Sequence, residues 1–213
     1  MPLVLLFGKK YYDYRKDEFS RINQQKELEL KILRAQFDPH FLYNSLNTID
    51  ALVDYASKET IKKYISNLAD VYRYLVQTKD EELILVEDEL DLIKKYLFLI
   101  ETRFEGDYNF DIIVHSSYQN KYIPNGALLT TVENIVKHNT PDEDVRITAR
   151  ISIEKENIKV SNNKYHSINH EESLGTGLKN LKKRYELLAD ETIEIRDNEK
   201  EFIIELPMLN IID

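Results

Sequence analysis

The spacing of hydrophobic positions changes along the chain, from helical in its first half to strand-like in its second. From Asp17 to about Ala56 the apolar residues fall three and four apart. Leu30, Leu33 and Phe37 begin the series, and Leu42, Leu46, Ile49 and Val53 continue it. That period places them on one stripe of a helix, a coiled-coil-like seam. Pro39 interrupts the stretch and lacks a backbone donor, so it kinks the helix or restarts it. A second helix is predicted over Tyr55–Thr78, with Ile61, Ile65, Leu68, Tyr72 and Leu75 on one face. Ser57 suits its N-cap, and Thr60 stands where a full capping box would carry Glu or Gln. Two helices with a short connection read as an antiparallel hairpin. Such a hairpin has little core alone, so two copies are expected to pair as a dimeric four-helix bundle.

Asp80–Glu82 is a polar break. A third helix is predicted from about Val86 to Phe104, with Leu90, Ile93, Leu97, Ile100 and Phe104 inward. The texture then turns β-branched or alternating over Tyr108–Val114, Val145–Ile153, Ile158–Ser161, Thr192–Arg196 and Phe202–Leu206, which predicts strands. Helical stretches at Asn125–His138 and Gly177–Ala189 lie between them. Mixed strands with helices on one face give an α+β sandwich. The expected organisation is a tail over 1–16, a helical hairpin over 17–80 and an α/β sandwich domain over 86–213.

Composition narrows the function classes. With 42% hydrophobic and 31% charged residues among 213, the chain suits a soluble globular protein rich in helix. Its net charge of −9 argues against attraction to nucleic-acid phosphates. It has no cysteine, which excludes disulfides and thiolate metal sites and fits a reducing compartment, so a cytoplasmic location is expected. Pro2–Phe7 is apolar but far shorter than the roughly 20 residues a spanning helix needs. Lys9, Lys10, Arg15 and Lys16 follow it, as basic residues follow a membrane helix entering the cytoplasm. Two readings stand side by side: the end of an inner-membrane anchor, or a frayed terminus.

Two constellations carry chemistry. The first is Leu33-Arg-Ala-Gln-Phe-Asp-Pro-His-Phe-Leu-Tyr-Asn-Ser-Leu-Asn-Thr-Ile49. At roughly 100° per residue, Asn44 and Asn47 fall within about 40° of His40, while Leu42, Leu46, Ile49 and Val53 lie near the opposite side. The imidazole therefore faces away from the seam, among amides. An exposed histidine is mostly neutral at about pH 7.5, as a nucleophilic nitrogen must be. The second is Thr130-Thr-Val-Glu-Asn-Ile-Val-Lys-His138. On a helix, Leu128, Leu129, Val132, Ile135 and Val136 share an apolar face, and Glu133, Asn134, Lys137 and His138 fall opposite. A carboxylate, an amide oxygen, an ammonium and an imidazole on one face suit a magnesium–triphosphate: Asn134 offers Mg²⁺ a hard oxygen, and Lys137 offers phosphate a positive charge. Gly175 and Gly177 precede a later amphipathic helix with Leu178, Leu181 and Leu188 apolar, a turn whose amides can approach phosphates. His115, His166 and His170 show no ligand spacing.

The first constellation resembles the phosphoacceptor box of the LytS-like sensor histidine kinases, Gln-x-Asn-Pro-His-Phe-Leu-Phe-Asn-x-Leu-Asn. Gln36, Pro39, His40, Phe41, Leu42, Asn44, Leu46 and Asn47 match; Asp38 and Tyr43 depart from it. The second, together with the glycine turn, resembles the GHKL-type ATPase domain: Glu133 and Asn134 match its N box, and Gly175 and Gly177 its second glycine box. The polar stretch Asn163–Ser173 falls where that family has its ATP lid. The resemblance implies that His40 is phosphorylated from Mg·ATP, with Asn44 positioning the phosphoryl group and Glu133 orienting or deprotonating. It also implies a homodimer and transfer to an aspartate of a response regulator, often of the LytTR type. One departure matters: Val160-Ser-Asn-Asn-Lys164 replaces the family's Asp-x-Gly-x-Gly, so Asn162 stands for the aspartate that accepts from the adenine amino group. A neutral acceptor forgoes about 0.5–2 kcal/mol, roughly two- to thirtyfold in affinity. That loss motivates two alternatives: a non-catalytic dimeric scaffold, or a phosphatase of the regulator.

Overall fold

The computed structural model describes residues 12, 15–16, 39–139, 146–164, 176–198 and 200–211, with Pro39 and His40 described by backbone alone. The chain divides into two compact units, Met1–Phe37 and Asp38–Asp213. In the first, only Tyr12, Arg15 and Lys16 are described, all helical and exposed. The predicted helix before Pro39 otherwise lies outside the described residues.

In the second unit, helix α1 spans Pro39–Tyr55. Proline suits a first helical turn, where its missing N–H is no loss. The hydroxyls of Ser45 and Thr48 donate to the carbonyls of Phe41 and Asn44 at 2.8 and 2.9 Å, so both polar side chains are satisfied within the helix. Helix α2 spans Lys58–Gln77. Ser57 caps it as predicted, accepting from the Thr60 N–H at 3.1 Å. Helix α3, Val86–Arg103, is buried along most of its length, at Val86, Glu89, Leu90, Leu92, Ile93, Tyr96, Leu97, Leu99 and Ile100. A helix so apolar all round belongs inside a molecule. The hairpin packs on it: Phe41 stacks near Tyr72 and Tyr96, with ring centroids 6.2 and 5.2 Å away, and the Lys63 ammonium lies 4.3 Å from the centre of the Phe98 ring. Within α2 the buried residues are Tyr64, Leu68 and Val71, while Ile65, predicted on the inner face, is exposed.

Beyond α3 the structure is α+β, as expected. Strands β2 (Tyr108–Val114), β4 (Ile147–Ile153), β5 (Asn157–Asn163), β6 (Glu194–Asp197) and β7 (Glu201–Pro207) form one mixed sheet in the order β2-β4-β5-β7-β6. Only the β2–β4 pair is parallel. Alternation along β4 and β5 buries Ile147, Ala149, Ile151 and Ile153, and Ile158, Val160 and Asn162. Register aligns these across the sheet: Ile112, Ile151, Val160 and Ile204 make one row, and Phe110, Ala149, Asn162 and Phe202 the next. Helices α4 (Ala127–His138) and α5 (Thr176–Ala189) add Leu128, Val132, Ile135, Leu178, Leu181 and Tyr185 to the same core.

Two further features depart from the pattern-based expectation. Strands β1 (Leu83–Leu85) and β3 (Tyr122–Pro124) form a separate antiparallel ladder. Three residues are too few for a readable alternation. Helix α4 begins at Ala127 rather than Asn125, because Gly126 takes a left-handed conformation with φ 74° as its N-cap.

Candidate nucleotide and phosphoacceptor sites

The second constellation lies on α4. Its apolar side is buried at Leu128, Val132 and Ile135 and half-buried at Leu129 and Val136. Glu133 and Asn134 are half-buried, and Lys137 and His138 exposed. Lys137 Nζ stands 3.8 Å from Glu133 Oε2, an i,i+4 ion pair along the helix. The far end of α4 is fixed by the buried Tyr108, whose hydroxyl donates to the Asn139 carbonyl at 2.6 Å.

Gly177 lies in the first turn of α5. A Cβ built there would stand 3.4 Å from the Thr130 methyl, so the turn after the second glycine box meets α4 one turn before Glu133. Of the predicted lid Asn163–Ser173, Asn163 belongs instead to the end of strand β5; residues 165–173 and Gly175 lie outside the described residues.

Asn162 sits on the inner face of β5, 3% exposed, between Ala149 of β4 and Phe202 of β7. Its Nδ2 donates to the Asn163 carbonyl at 2.8 Å, while its Oδ1 is buried with no hydrogen-bond partner among the described residues. Rotating the amide would set two oxygens against each other, so the bond to Asn163 fixes which atom is left over. A buried acceptor without a donor is costly and calls for a partner.

His40 and Asn44 lie on α1, a different element from α4 and β5. Asn44 is half-buried and Asn47 exposed. Of the predicted seam, Leu42, Leu46 and Val53 are exposed at 40, 51 and 64%, while Ile49 is half-buried. The same α1 buries Ser45 and Leu52, about 80° round the helix from that seam.

The structure also brings forward a residue that motif reading passed over. Glu89 of α3 is fully buried. Its Oε2 accepts from the Gly126 N–H at 3.0 Å, and its Oε1 from Leu128 and Leu129 at 2.9 and 3.3 Å. These are donors that the start of α4 cannot satisfy within the helix. Burial pushes the Glu89 carboxyl up to about 7; the three N–H donors and the Arg184 guanidinium on α5 pull the other way. A carboxylate on the apolar stripe through Val86, Leu90, Ile93 and Leu97 was the available signal. Among the described residues, no group of three or more histidines, aspartates or glutamates is placed to hold a metal. No described helix is long and apolar enough to cross a membrane.

A phosphoacceptor-type helix, followed by an α+β unit with an N-box-like helix and a buried amide acceptor, defines a class that sequence comparison supports. Residues 28–108 match the family model described as histidine kinase. The sensor histidine kinase/phosphatase LytS of Staphylococcus aureus strain MRSA252 is 32% identical over 176 residues, covering 75% of this chain and 30% of LytS. LytS of strain Mu50 is 31% identical with the same coverage. The chain belongs to the LytS-like sensor histidine kinase family. It spans about 30% of the length of those relatives. Solved structures are fainter likenesses. The catalytic domain of histidine kinase ThkA gives a TM-score of 0.41 at 14% identity, covering 59% of this chain and 93% of that one. The cytoplasmic segment of histidine kinase QseC gives 0.43 at 13%, covering 70% and 95%.

Proposed function

We propose that the chain is the kinase core of a two-component system, phosphorylating His40 from ATP and passing the phosphoryl group to a response-regulator aspartate. The observation that carries the reading is the Oδ1 of Asn162 on the inner face of the sheet, without a partner among the described residues, in a chain whose matched region holds the His40 box. An orphaned buried acceptor fits the amino group of adenine, so the residues present suit ATP. Half-buried Asn134, beside the Glu133 carboxylate, is an oxygen donor of the kind Mg²⁺ takes. Magnesium bound with the nucleotide would neutralise charge on the phosphates.

The chain's own groups then divide the work. Asn162 selects the base. Lys137 and His138, exposed at the end of α4, face phosphate oxygens, and the backbone at Gly177 approaches them from the start of α5. A ring nitrogen of His40 attacks the γ-phosphorus. A P–N bond forms, the bond from γ-phosphorus to the bridging oxygen breaks, and ADP leaves with the electron pair. Glu133 orients the imidazole or takes its proton, and Asn44 holds the phosphoryl group or a water. Positioning and electrostatics supply most of the effect. The regulator is of the LytTR type. A second copy of the chain covers Leu42, Leu46 and Val53 to complete a four-helix bundle. The activity is cytoplasmic.

A second reading is a phosphatase of the regulator. Two observations favour it: the relatives carry both activities in their names, and the neutral Asn162 stands where an aspartate is expected. Incorporation of labelled γ-phosphate from Mg·ATP, with His40→Ala alongside, separates the two. Acid-labile, base-stable label that is absent from the variant establishes the kinase. Absence of label from a confirmed dimer at millimolar ATP sinks it and leaves the phosphatase or the non-catalytic scaffold.

A further inference from the structure

Asn125 joins two elements that the proposed reaction requires to act together. Its Nδ2 donates to the Thr78 carbonyl at 2.6 Å and to the Glu81 carbonyl at 3.3 Å, and its N–H donates to the Glu82 carbonyl at 3.0 Å. Thr78 is the C-cap of α2, the helix paired with the His40 helix. The next residue, Gly126, reverses the chain with its left-handed backbone and donates to Glu89. Leu128 and Leu129 donate to the same carboxylate. The start of α4 is thus fixed from two sides, by the exit of the hairpin through Asn125 and by α3 through Glu89. Glu133 and Asn134 stand two turns further along α4.

A turn of this kind ordinarily satisfies itself locally. Asn125 instead spends its side chain on carbonyls 47 and 44 residues away. A helix is stiff over two turns, so a displacement of the end of α2 either carries the start of α4 with it or breaks these bonds. We propose that Asn125 is a positioning residue for phosphoryl transfer, coupling the exit of the phosphoacceptor hairpin to the placement of Glu133 and Asn134 on α4. The proposal rests on the kinase reading above. The bonds of Asn125 run to Thr78, Glu81 and Glu82 rather than to the residues proposed to hold nucleotide, so its loss changes the rate at which a bound nucleotide reacts rather than the affinity for it.

The test compares full-length wild type with Asn125→Ala, which removes the side-chain donor. Binding of a fluorescent trinitrophenyl-ATP and the rate of His40 labelling at saturating Mg·ATP are both measured. The expected result is a dissociation constant within about twofold of wild type and a labelling rate changed by about tenfold or more. A labelling rate within twofold overturns the proposal. So does a parallel loss of binding and rate that follows the folded fraction in a thermal melt, since a purely structural role predicts that pattern. Glu89→Gln, which keeps the side chain's size and one acceptor oxygen, provides the second variant and should show the same split. If Asn125→Ala fails to fold, a folded Glu89→Gln without the split, or failure of both to fold, also overturns it. Wild type that binds no nucleotide and takes no label refutes the kinase reading instead, and the proposal falls with it.

Discussion

Glu89→Gln should change how stability depends on pH, independently of any activity. The wild-type carboxyl is raised from an ordinary value of 4.5 to about 7, chiefly by its burial. At about 1.4 kcal/mol per pH unit, that difference is on the order of 3 kcal/mol. The sign follows from proton counting. Below about 4.5 the folded and unfolded chains both hold the proton and nothing is lost. Between about 4.5 and 7 the unfolded chain releases it while the folded chain keeps it, so stability falls as pH rises; above 7 both are ionised and the loss is complete. The groups facing this carboxyl are Arg184 and Tyr185 of α5 and Tyr74 of α2, and both tyrosines are themselves raised by burial first and by the Glu89 charge next. Glutamine resembles the protonated acid: it accepts from Leu128 and Leu129 but sets a donor near Gly126. The stability difference between glutamine variant and wild type should therefore shift in favour of glutamine by about 3 kcal/mol from pH 4.5 to 7.5. Urea unfolding followed by circular dichroism, at fixed protein concentration, measures it, and other carboxylates cancel in the difference. Parallel curves for the two proteins would refute the reasoning.

Asn162→Asp should have two opposed effects. Placing a carboxylate oxygen 2.8 Å from the Asn163 carbonyl, where an N–H donor now sits, should lower the stability of the nucleotide-free protein by about 1–3 kcal/mol, read as a drop in melting temperature. The same change should tighten trinitrophenyl-ATP by roughly two- to thirtyfold, and unaltered binding by a folded variant counts against Asn162 as the adenine acceptor. Leu46→Asp should leave the single-chain fold intact, since Leu46 is 51% exposed. Removing about 2 kcal/mol of burial from each of two copies should weaken a dimer several hundredfold, and unchanged sedimentation would exclude this seam as the interface.

The sequence by itself determined the longer elements and their order, and the physical reason is periodicity. Apolar residues three and four apart specify α1 to α5, and alternation specifies β2, β4, β5 and β7, because a helix and a strand each expose one face per period. The His40 box and the N box were legible for a related reason: their chemistry is local, carried by side chains within a few turns of one helix. What the sequence left undecided depends on partners distant along the chain. The short β1–β3 ladder exists only because Tyr122–Pro124 returns to Leu83–Leu85. Ile65 fits the helical stripe of α2, yet Tyr64 is buried instead, because packing against α3 chooses between adjacent positions. Asn162 read as a substitution at a motif position; only the sheet register, with Ala149 and Phe202 on either side, made its Oδ1 a buried acceptor without a donor. Glu89 and Asn125 carry no motif at all. Their roles arise where α2, α3 and α4 converge, and tertiary contact alone sets a carboxylate against three helix N–H groups and an amide against carbonyls more than forty residues away.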